Sequence, residues 1–517
     1  MLPSLRTLLL PAIAALAVTN GQQARANNIQ VSNTTLINNG STAWIQFDLS
    51  WQNSWNGGVV NNWDAAWVFV KYNTVNDPTW RHAFLSPGGH NAPAGMQVDP
   101  GLLVPAAGHD WIPNPVMGVF IRRAATGTGD LTLTGVQLDW SYLEYGLTYA
   151  NIAQIQVFAI EMVYVPQGEF AAGSGGTESS RFTLTTINTP AATAVPSDPG
   201  LLGGLAGGYP TGQTVPDTDS WPNGFNAFYA MKYEVSQQGY VDFLNTLTYT
   251  QQVSRTANAP SSAAGTGALV TGNTNRNGID IQTPGVDPNT PAVYACNLNG
   301  NTTYGEATDG QFIACNVLSW GDLAAYLDWC GLRPMTELEF EKACRGPLTP
   351  VANEYPWGTT GVAGGAYSVP NGGANNEFIS AGYSTTLGNA SYDLTDGAIN
   401  GPLRVGIFAT STSTRISAGA SFYGIMELGG NVWERPVTIG NANGRAYAGT
   451  HGDGTLIASG DPDVTTWPDP TTADGAGYRG GAWAGDNSYT RVSDRTIVSN
   501  VNAGRGIDVG GRGVRTH

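Results

Sequence analysis

The sequence predicts an α+β protein in which an all-β segment precedes a larger part that mixes short helices with long loops. Three observations predict it. Runs such as Ala43-Trp-Ile-Gln-Phe-Asp-Leu-Ser-Trp51 alternate apolar and polar residues, the period-2 pattern of a half-buried strand. Helix starts marked by Ser236, Ser319 and Thr336 occur only later in the chain. Gly numbers 68 and Pro 30 while charged residues make up only 12%, the composition of a turn-rich extracellular protein. At 517 residues the chain is too long for one ordinary core, so two domains are expected, 27–159 and 160–517.

Residues 1–26 read as a bacterial-type secretory signal, with Arg6 in a positive start, an apolar stretch from Leu8 to Val18, and Ala24-Arg25-Ala26 as the cleavage site. No Cys lies nearby to carry a lipid, and no later stretch has the ~18 uninterrupted apolar residues of a spanning helix. The expectation is a secreted, extracellular or periplasmic protein without a membrane span. A net charge of −16 argues against nucleic acid and suits divalent cations.

From 27 to 159, further strand candidates are Ala66-Trp-Val-Phe-Val-Lys-Tyr72, Val116-Met-Gly-Val-Phe-Ile-Arg122 and Leu131-Thr-Leu-Thr-Gly-Val-Gln-Leu138. Their spacing predicts a β-sandwich. The tryptophans Trp51, Trp55, Trp63, Trp67, Trp80, Trp111 and Trp140 are read as core, with a sugar-stacking platform as the alternative. Beyond 160, segments 171–222 and 250–291 are rich in small and polar residues and read as loop insertions. The glycines at 203–208 are no nucleotide fingerprint, since they neither follow a clear strand nor open a helix.

Three helices are expected. One starts at Ser236 and carries Tyr240, Phe243, Leu244 and Leu247 on one face; a second runs from Trp320 to Trp329 after Ser319. The third starts at Thr336, which forms a capping box with Glu339. Glu337, Glu339 and Glu341 are read as exposed residues complementing the helix dipole in preference to a catalytic cluster. Cys296, Cys315, Cys330 and Cys344 allow three pairings; Cys296 with Cys315 and Cys330 with Cys344 is the favoured one, and free buried thiols are the alternative.

The stretch Tyr423-Gly-Ile-Met-Glu-Leu-Gly-Gly-Asn-Val-Trp-Glu-Arg-Pro436 is the most chemically specific in the chain. Glu427 and Glu434 flank a Gly429-Gly430 turn, and hard oxygens around such a turn suit calcium. Equally open is a buried Glu paired with Arg435 or Arg479.

This stretch resembles the signature of the formylglycine-generating enzyme (sulfatase-modifying factor) family. Other landmarks stand in the family's order: Met162-Val-Tyr-Val-Pro-Gln-Gly-Glu-Phe170, Lys232-Tyr-Glu-Val-Ser236, Val317-Leu-Ser-Trp320, the run from Gly331-Leu-Arg-Pro-Met-Thr to Cys344-Arg-Gly346, Tyr355-Pro-Trp-Gly358, Arg479-Gly-Gly-Ala-Trp483 and Gly510-Gly-Arg-Gly-Val-Arg515. The resemblance implies a C-type-lectin-like fold for 160–517. It implies a calcium site on Glu427, Glu434 and the backbone oxygens of Gly430 and Val432, and a second on Asn375, Asn376, Asp396 and Ala398.

The enzymes of the family oxidise a substrate cysteine through two cysteines of their own that hold copper. Here those positions fall at Gly485 and Thr490, and no Cys follows Cys344. Neither residue offers the soft sulfur that Cu(I) prefers, so neither copper nor catalysis is expected. The five His residues, His82, His90, His109, His451 and His517, lack metal-ligand spacing, and no G-x-S-x-G elbow occurs. His451 is read as a loop residue.

The preferred expectation is a secreted, non-catalytic binding or structural protein whose partners are a protein or glycan ligand or further copies of the chain. One alternative is a formylglycine-generating-like oxidoreductase acting on thiols. Another is a variable ligand-binding protein of a diversity-generating retroelement. The last would present Trp483, Asp486, Asn487, Tyr489, Arg491, Asp494 and Arg495 as its ligand surface.

Overall fold

The computed structural model describes residues 28–57, 61–102, 115–195, 218–364, 366–393, 399–498 and 501–516. The expected leader at 1–26, His109, Trp111, the glycines at 203–208, Asp396, Ala398 and His517 lie outside the described residues.

The alternating segments of the N-terminal part form β1 (Gln30–Asn39), β2 (Thr42–Gly57), β3 (Asn62–Thr74), β4 (Asp77–His82), β5 (Met96–Leu102), β6 (Val116–Arg123), β7 (Gly127–Trp140) and β8 (Ile152–Val165). In β2 the alternation translates directly into burial: Ile45, Phe47, Leu49 and Trp51 are buried, and the residues between them are partly exposed. They meet Leu133, Val136, Leu138 and Trp140 of β7, and Ala66, Val68, Val70 and Tyr72 of β3, in one apolar cluster.

Strand β3 is buried on both faces, which is why it reads as a nearly continuous apolar run. Its other face, Ala65, Trp67 and Phe69, belongs to the core of the rest of the chain together with Met162, Tyr229 and Trp329. Strand β8 pairs antiparallel with β3 from Asp64 opposite Val163 to Thr74 opposite Ile152. The position expected as a domain boundary, 159/160, falls inside β8.

The rest of the chain adds β9 (Phe170–Ala172), β10 (Thr185–Ile187), β11 (Phe228–Met231), α1 (Gln237–Leu244), α2 (Tyr249–Arg255), β12 (Ile279–Thr283) and β13 (Val293–Cys296). It continues with α3 (Trp320–Trp329), β14 (Arg333–Pro334), α4 (Glu337–Arg345), α5 (Ala442–Arg445) and β15 (Gly513–Thr516). The protein is therefore β-rich with few, short helices. Strand β11 pairs with β8 on one side and β15 on the other, and β15 pairs with β14. One sheet thus runs in the order β1-β2-β3-β8-β11-β15-β14.

The three expected helices form where their caps place them. Ser236 accepts from Gly239 N, and Ser319 with Asp322 and Thr336 with Glu339 close capping boxes. The segment 250–291 holds most of α2 and all of β12 and buries Ala268, Leu269, Ile279 and Ile281.

A set of aromatic contacts joins the N-terminal strands to the rest. The Trp67 indole donates to Cys330 O at 2.8 Å, and Arg515 lies 4.5 Å from the Trp67 ring centre. The rings of Phe120 and Tyr229 stack at 3.8 Å. A Cβ at Gly118 would clash with Val68 O and press on the Trp67 ring, so β6 approaches β3 only with glycine there.

The expected disulfides are absent: all four cysteines are free and buried. Cys330 ends α3 in the core shared with β3, while Cys344 on α4 packs with Val163, Phe340 and Val514 in a different cluster. The turn between α3 and α4 therefore separates these two side chains instead of joining them. Burial pushes all four thiols up, which keeps them protonated.

Candidate functional site

Two groups of buried carboxylates lie in the interior of the family-like part, and their surroundings differ. The first is on α4. Glu337, Glu339 and Glu341 are all buried, contrary to the exposed, dipole-complementing role expected. The reason is a set of arginines, two close in sequence, Arg333 and Arg345, and two delivered from distant loops, Arg479 and Arg495. Arg333 grips Glu339 with both terminal nitrogens at 2.9 and 2.6 Å. Arg479 reaches Glu337 at 3.2 Å and Glu341 at 2.8 Å, Arg495 donates twice to Glu337, and Arg345 bridges Glu341 to Glu354. Four carboxylates thus meet four guanidinium groups. Burial still lifts Glu337 to about 7, with Arg479 and the Thr438 hydroxyl opposing.

The second group is the glycine turn. Glu427, Gly430 and Asn431 all have positive φ, at 51°, 91° and 68°. A Cβ at Gly430 would collide with the Ser391 carbonyl, so this residue is fixed as glycine by space as well as by φ. The turn carries Glu427 and Glu434 into the interior beside Glu234 of the Lys232-Tyr-Glu-Val-Ser236 segment. Glu234 accepts from Asn431 Nδ2 at 2.5 Å and Val432 N at 3.0 Å. Glu427 accepts from Gly406 N at 2.8 Å through Oε1. Glu434 pairs with Arg512, whose other nitrogens donate to the carbonyls of Met231, Lys232 and Glu427.

The arginine expected for Glu434 was Arg435 or Arg479; the structure uses Arg512 instead. The Arg479 backbone pairs with that of Glu434 while its guanidinium serves α4, and Arg435 stacks on Tyr478 at 4.1 Å.

Three carboxylates therefore depend chiefly on one guanidinium, that of Arg512, with Arg404 adding a weaker attraction at Glu427. Burial raises all three, Glu427 to about 7, with Arg512 opposing in each case. Glu427 Oε2 and Glu434 Oε2 are both buried without a hydrogen-bond partner. Two orphaned carboxylate oxygens in a region short of positive charge fit a hard divalent cation. Side chains alone would not complete its shell, because among the described residues only Asp328, Asp453 and Asp463 bring three ligand atoms within 4.8 Å of one another. Backbone carbonyls are needed as well, which is the role expected of Gly430 and Val432.

Of the second expected calcium site, Asn375 and Asn376 lie on a turn with Asn375 Oδ1 buried and unpartnered. The sequence did not single out the aspartate cluster, whose members are separated by 125 and 10 positions. Asp328 in the last turn of α3 accepts from the backbone N–H groups of Asp453 at 2.9 Å and Asp463 at 3.1 Å, so both its oxygens bind chain.

The expected ligand surface divides by exposure. Asp486 is exposed, and Asn487, Tyr489 and Arg491 are partly so, on a short turn capped by Asp486. Trp483, Asp494 and Arg495 are buried; Trp483 N donates to Asn431 O, tying the face to the glycine turn, and Arg495 stacks on Phe182 at 3.6 Å. Gly485 sits on this loop, and Thr490 is buried with its hydroxyl donating to Asn487 O at 2.7 Å.

A β-rich domain of long ordered loops, with a carboxylate-rich glycine turn under a polar loop face, is the class of protein this defines. The chain belongs to the family of the sulfatase-modifying factor enzyme 1-like domain, whose profile matches residues 150–517, more than two thirds of its length. Among solved structures, Treponema denticola variable protein 1 is similar at 14% identity over 69% of this chain and 96% of that one, with a TM-score of 0.29. No curated protein matches. No helix among the described residues is long and apolar enough to cross a membrane.

Proposed function

We propose that this chain is an exported, non-catalytic binding or structural protein on a calcium-stabilised, C-type-lectin-like scaffold preceded by a β-sandwich. What supports the reading is chemical: by the resemblance Gly485 and Thr490 stand where the family enzymes hold copper, and all four thiols of the chain are buried and protonated. A thiolate is both the ligand and the nucleophile in such chemistry, and burial in apolar surroundings suppresses it.

In this reading calcium is held by Glu427 and Glu434 with the carbonyls of Gly430 and Val432. It supplies the positive charge that Arg512 alone does not. A second ion would use Asn375 and Asn376 with Asp396 and Ala398. Calcium here is structural: it fixes the turn whose Asn431 carbonyl holds Trp483 and so sets the loop bearing Asp486, Asn487, Tyr489 and Arg491. That loop is the ligand face, for a protein, a glycan or another copy of the chain. Its mix of Asp, Asn, Tyr and Arg between fixed flanks also suits a variable ligand-binding surface.

The test is elemental analysis of the purified mature protein together with an oxygen-uptake assay on a cysteine-containing peptide. Calcium without copper, and no turnover, is the expected result. Stoichiometric copper with thiol-dependent oxygen uptake would replace this reading by the oxidoreductase one.

A further inference from the structure

Three ionisable side chains meet where the N-terminal strands join the rest of the chain. Asp64 lies on β3, Glu161 on β8 and Lys232 directly after β11. Strand pairing gathers them: Ala66 stands opposite Glu161 across β3 and β8, and Lys232 N donates to Glu161 O at 2.9 Å. All three are at most 4% exposed. Lys232 Nζ stands 3.0 Å from Glu161 Oε2 and 3.4 Å from Asp64 Oδ2. The rings of Trp55 and Tyr233 flank it, their centres 4.8 and 5.4 Å from Nζ.

One ammonium faces two buried carboxyls, so full ionisation leaves an unmatched negative charge in the interior. Burial raises both Asp64 and Glu161, with Lys232 opposing. Burial acts to lower Lys232, yet neighbouring negative charges, Glu161 foremost, hold it above its ordinary range. The three therefore titrate as one unit and exchange protons along their contacts. The two carboxyls are held differently. Asp64 Oδ1 accepts from Ser54 Oγ at 2.8 Å and Trp55 N at 2.9 Å, and its Oδ2 accepts from Trp51 Nε1 at 3.1 Å. Glu161 Oε1 is buried without a hydrogen-bond partner, which leaves this carboxyl free to carry a proton.

A buried amine in contact with a fixed carboxyl, beside a second carboxyl with an idle oxygen, is an arrangement for amide formation. We propose that Lys232 and Asp64 condense into an intramolecular isopeptide bond, with Glu161 as the proton carrier. Lys232 first gives one proton to Asp64 Oδ2, leaving a neutral amine and a neutral acid. The Nζ lone pair then attacks Asp64 Cγ, and the carbonyl electron pair moves onto Oδ1. Ser54 Oγ and Trp55 N already donate to that oxygen, so the developing charge is met by placed donors. Glu161 takes the second proton from Nζ and hands it to Oδ2, which departs as water. Both protons lost by the amine leave in that water, and no oxidant, reductant or further reactant is consumed. The reaction removes the ammonium and one carboxylate from the interior, and the enclosure keeps the amide from hydrolysis. The bond joins residues 168 positions apart. In a chain whose four cysteines form no disulfide, it ties the N-terminal strands covalently to the family-like part and restricts the unfolded chain as a disulfide would.

The test is mass spectrometry of the purified full chain, reduced and unfolded. The expected mass is lower by one water than the sequence from its observed N-terminus requires, and proteolysis should release a branched peptide joining Lys232 to Asp64. Lys232→Arg keeps the positive charge and should restore the full mass. Glu161→Gln keeps the shape of the side chain but cannot accept the proton, so it should leave most chains uncross-linked with an unchanged circular-dichroism spectrum. The wild-type measurement needs no variant and stays decisive if either substitution prevents folding. Full mass in the folded wild-type protein overturns the proposal. So does a one-water loss that yields no branched peptide or survives in Lys232→Arg, and cross-linking to the wild-type extent in Glu161→Gln overturns the role given to Glu161.

Discussion

The α4 network and the glycine turn are built from the same acid, buried equally deeply, and reach different electrostatic ends. Under α4, Glu337, Glu339, Glu341 and Glu354 are matched by Arg333, Arg345, Arg479 and Arg495. At the turn, Glu234, Glu427 and Glu434 have Arg512, with Arg404 attracting only Glu427, and two carboxylate oxygens are left without partners. Burial lifts both Glu337 and Glu427 to about 7, so burial alone does not separate the regions; the supply of partners does. A network complete within the chain holds a fold, and an incomplete one implies something added from outside.

The largest expected effect tests the complete half. Arg479→Ala takes one of two guanidinium partners from both Glu337 and Glu341, leaving Arg495 and Arg345, and should cost about 3 kcal/mol in chemical denaturation, with no rescue by calcium. The incomplete half should respond to a ligand instead. Calcium at about a hundred times its dissociation constant should add about 2.7 kcal/mol to the wild type, read as a rise in melting temperature that chelator reverses.

Next in size is a change of sign. Glu427→Gln removes one unmatched buried charge, so in chelator it should raise stability by about 1–2 kcal/mol while abolishing the calcium-dependent gain. The corresponding Glu341→Gln should destabilise under all conditions, because Arg345 and Arg479 lose a partner.

The smallest effect sharpens the comparison at a third place, where one ammonium is buried. Lys71 donates to Gly454 O at 2.8 Å, and burial brings it down to about 7, with Asp328 and Asp453 opposing. The unfolded chain then holds a proton that the folded one has lost between pH ~7 and ~10.5, so this residue makes stability rise with pH across that window. Lys71→Met should flatten that slope and stabilise the protein by about 1 kcal/mol at pH 7, shown by denaturation curves at several pH values.

Much of this was legible in the sequence where signals are local. The strands around Ala43, Ala66, Val116 and Leu131 and the helices capped by Ser236, Ser319 and Thr336 formed as their patterns predict, since alternation and caps act over a few residues. What the sequence did not disclose is long-range. Nothing local reveals that arginines 138 to 158 positions away bury Glu337 and Glu341, or that Arg512 takes Glu434. The four cysteines read as disulfides by parity and compartment, but their side chains pack into the core as small apolar groups. The glycine turn was recognisable from its residues; its shortage of counter-charge was visible only once Glu234 was placed beside it.

Calorimetric titration of calcium into chelator-treated wild-type protein and Glu427→Gln tests the central claim most directly. The account predicts saturable binding to the wild type, with at least one equivalent lost in Glu427→Gln while its fold is retained. Calcium binding unchanged in Glu427→Gln, or none by the folded wild-type protein, would contradict it.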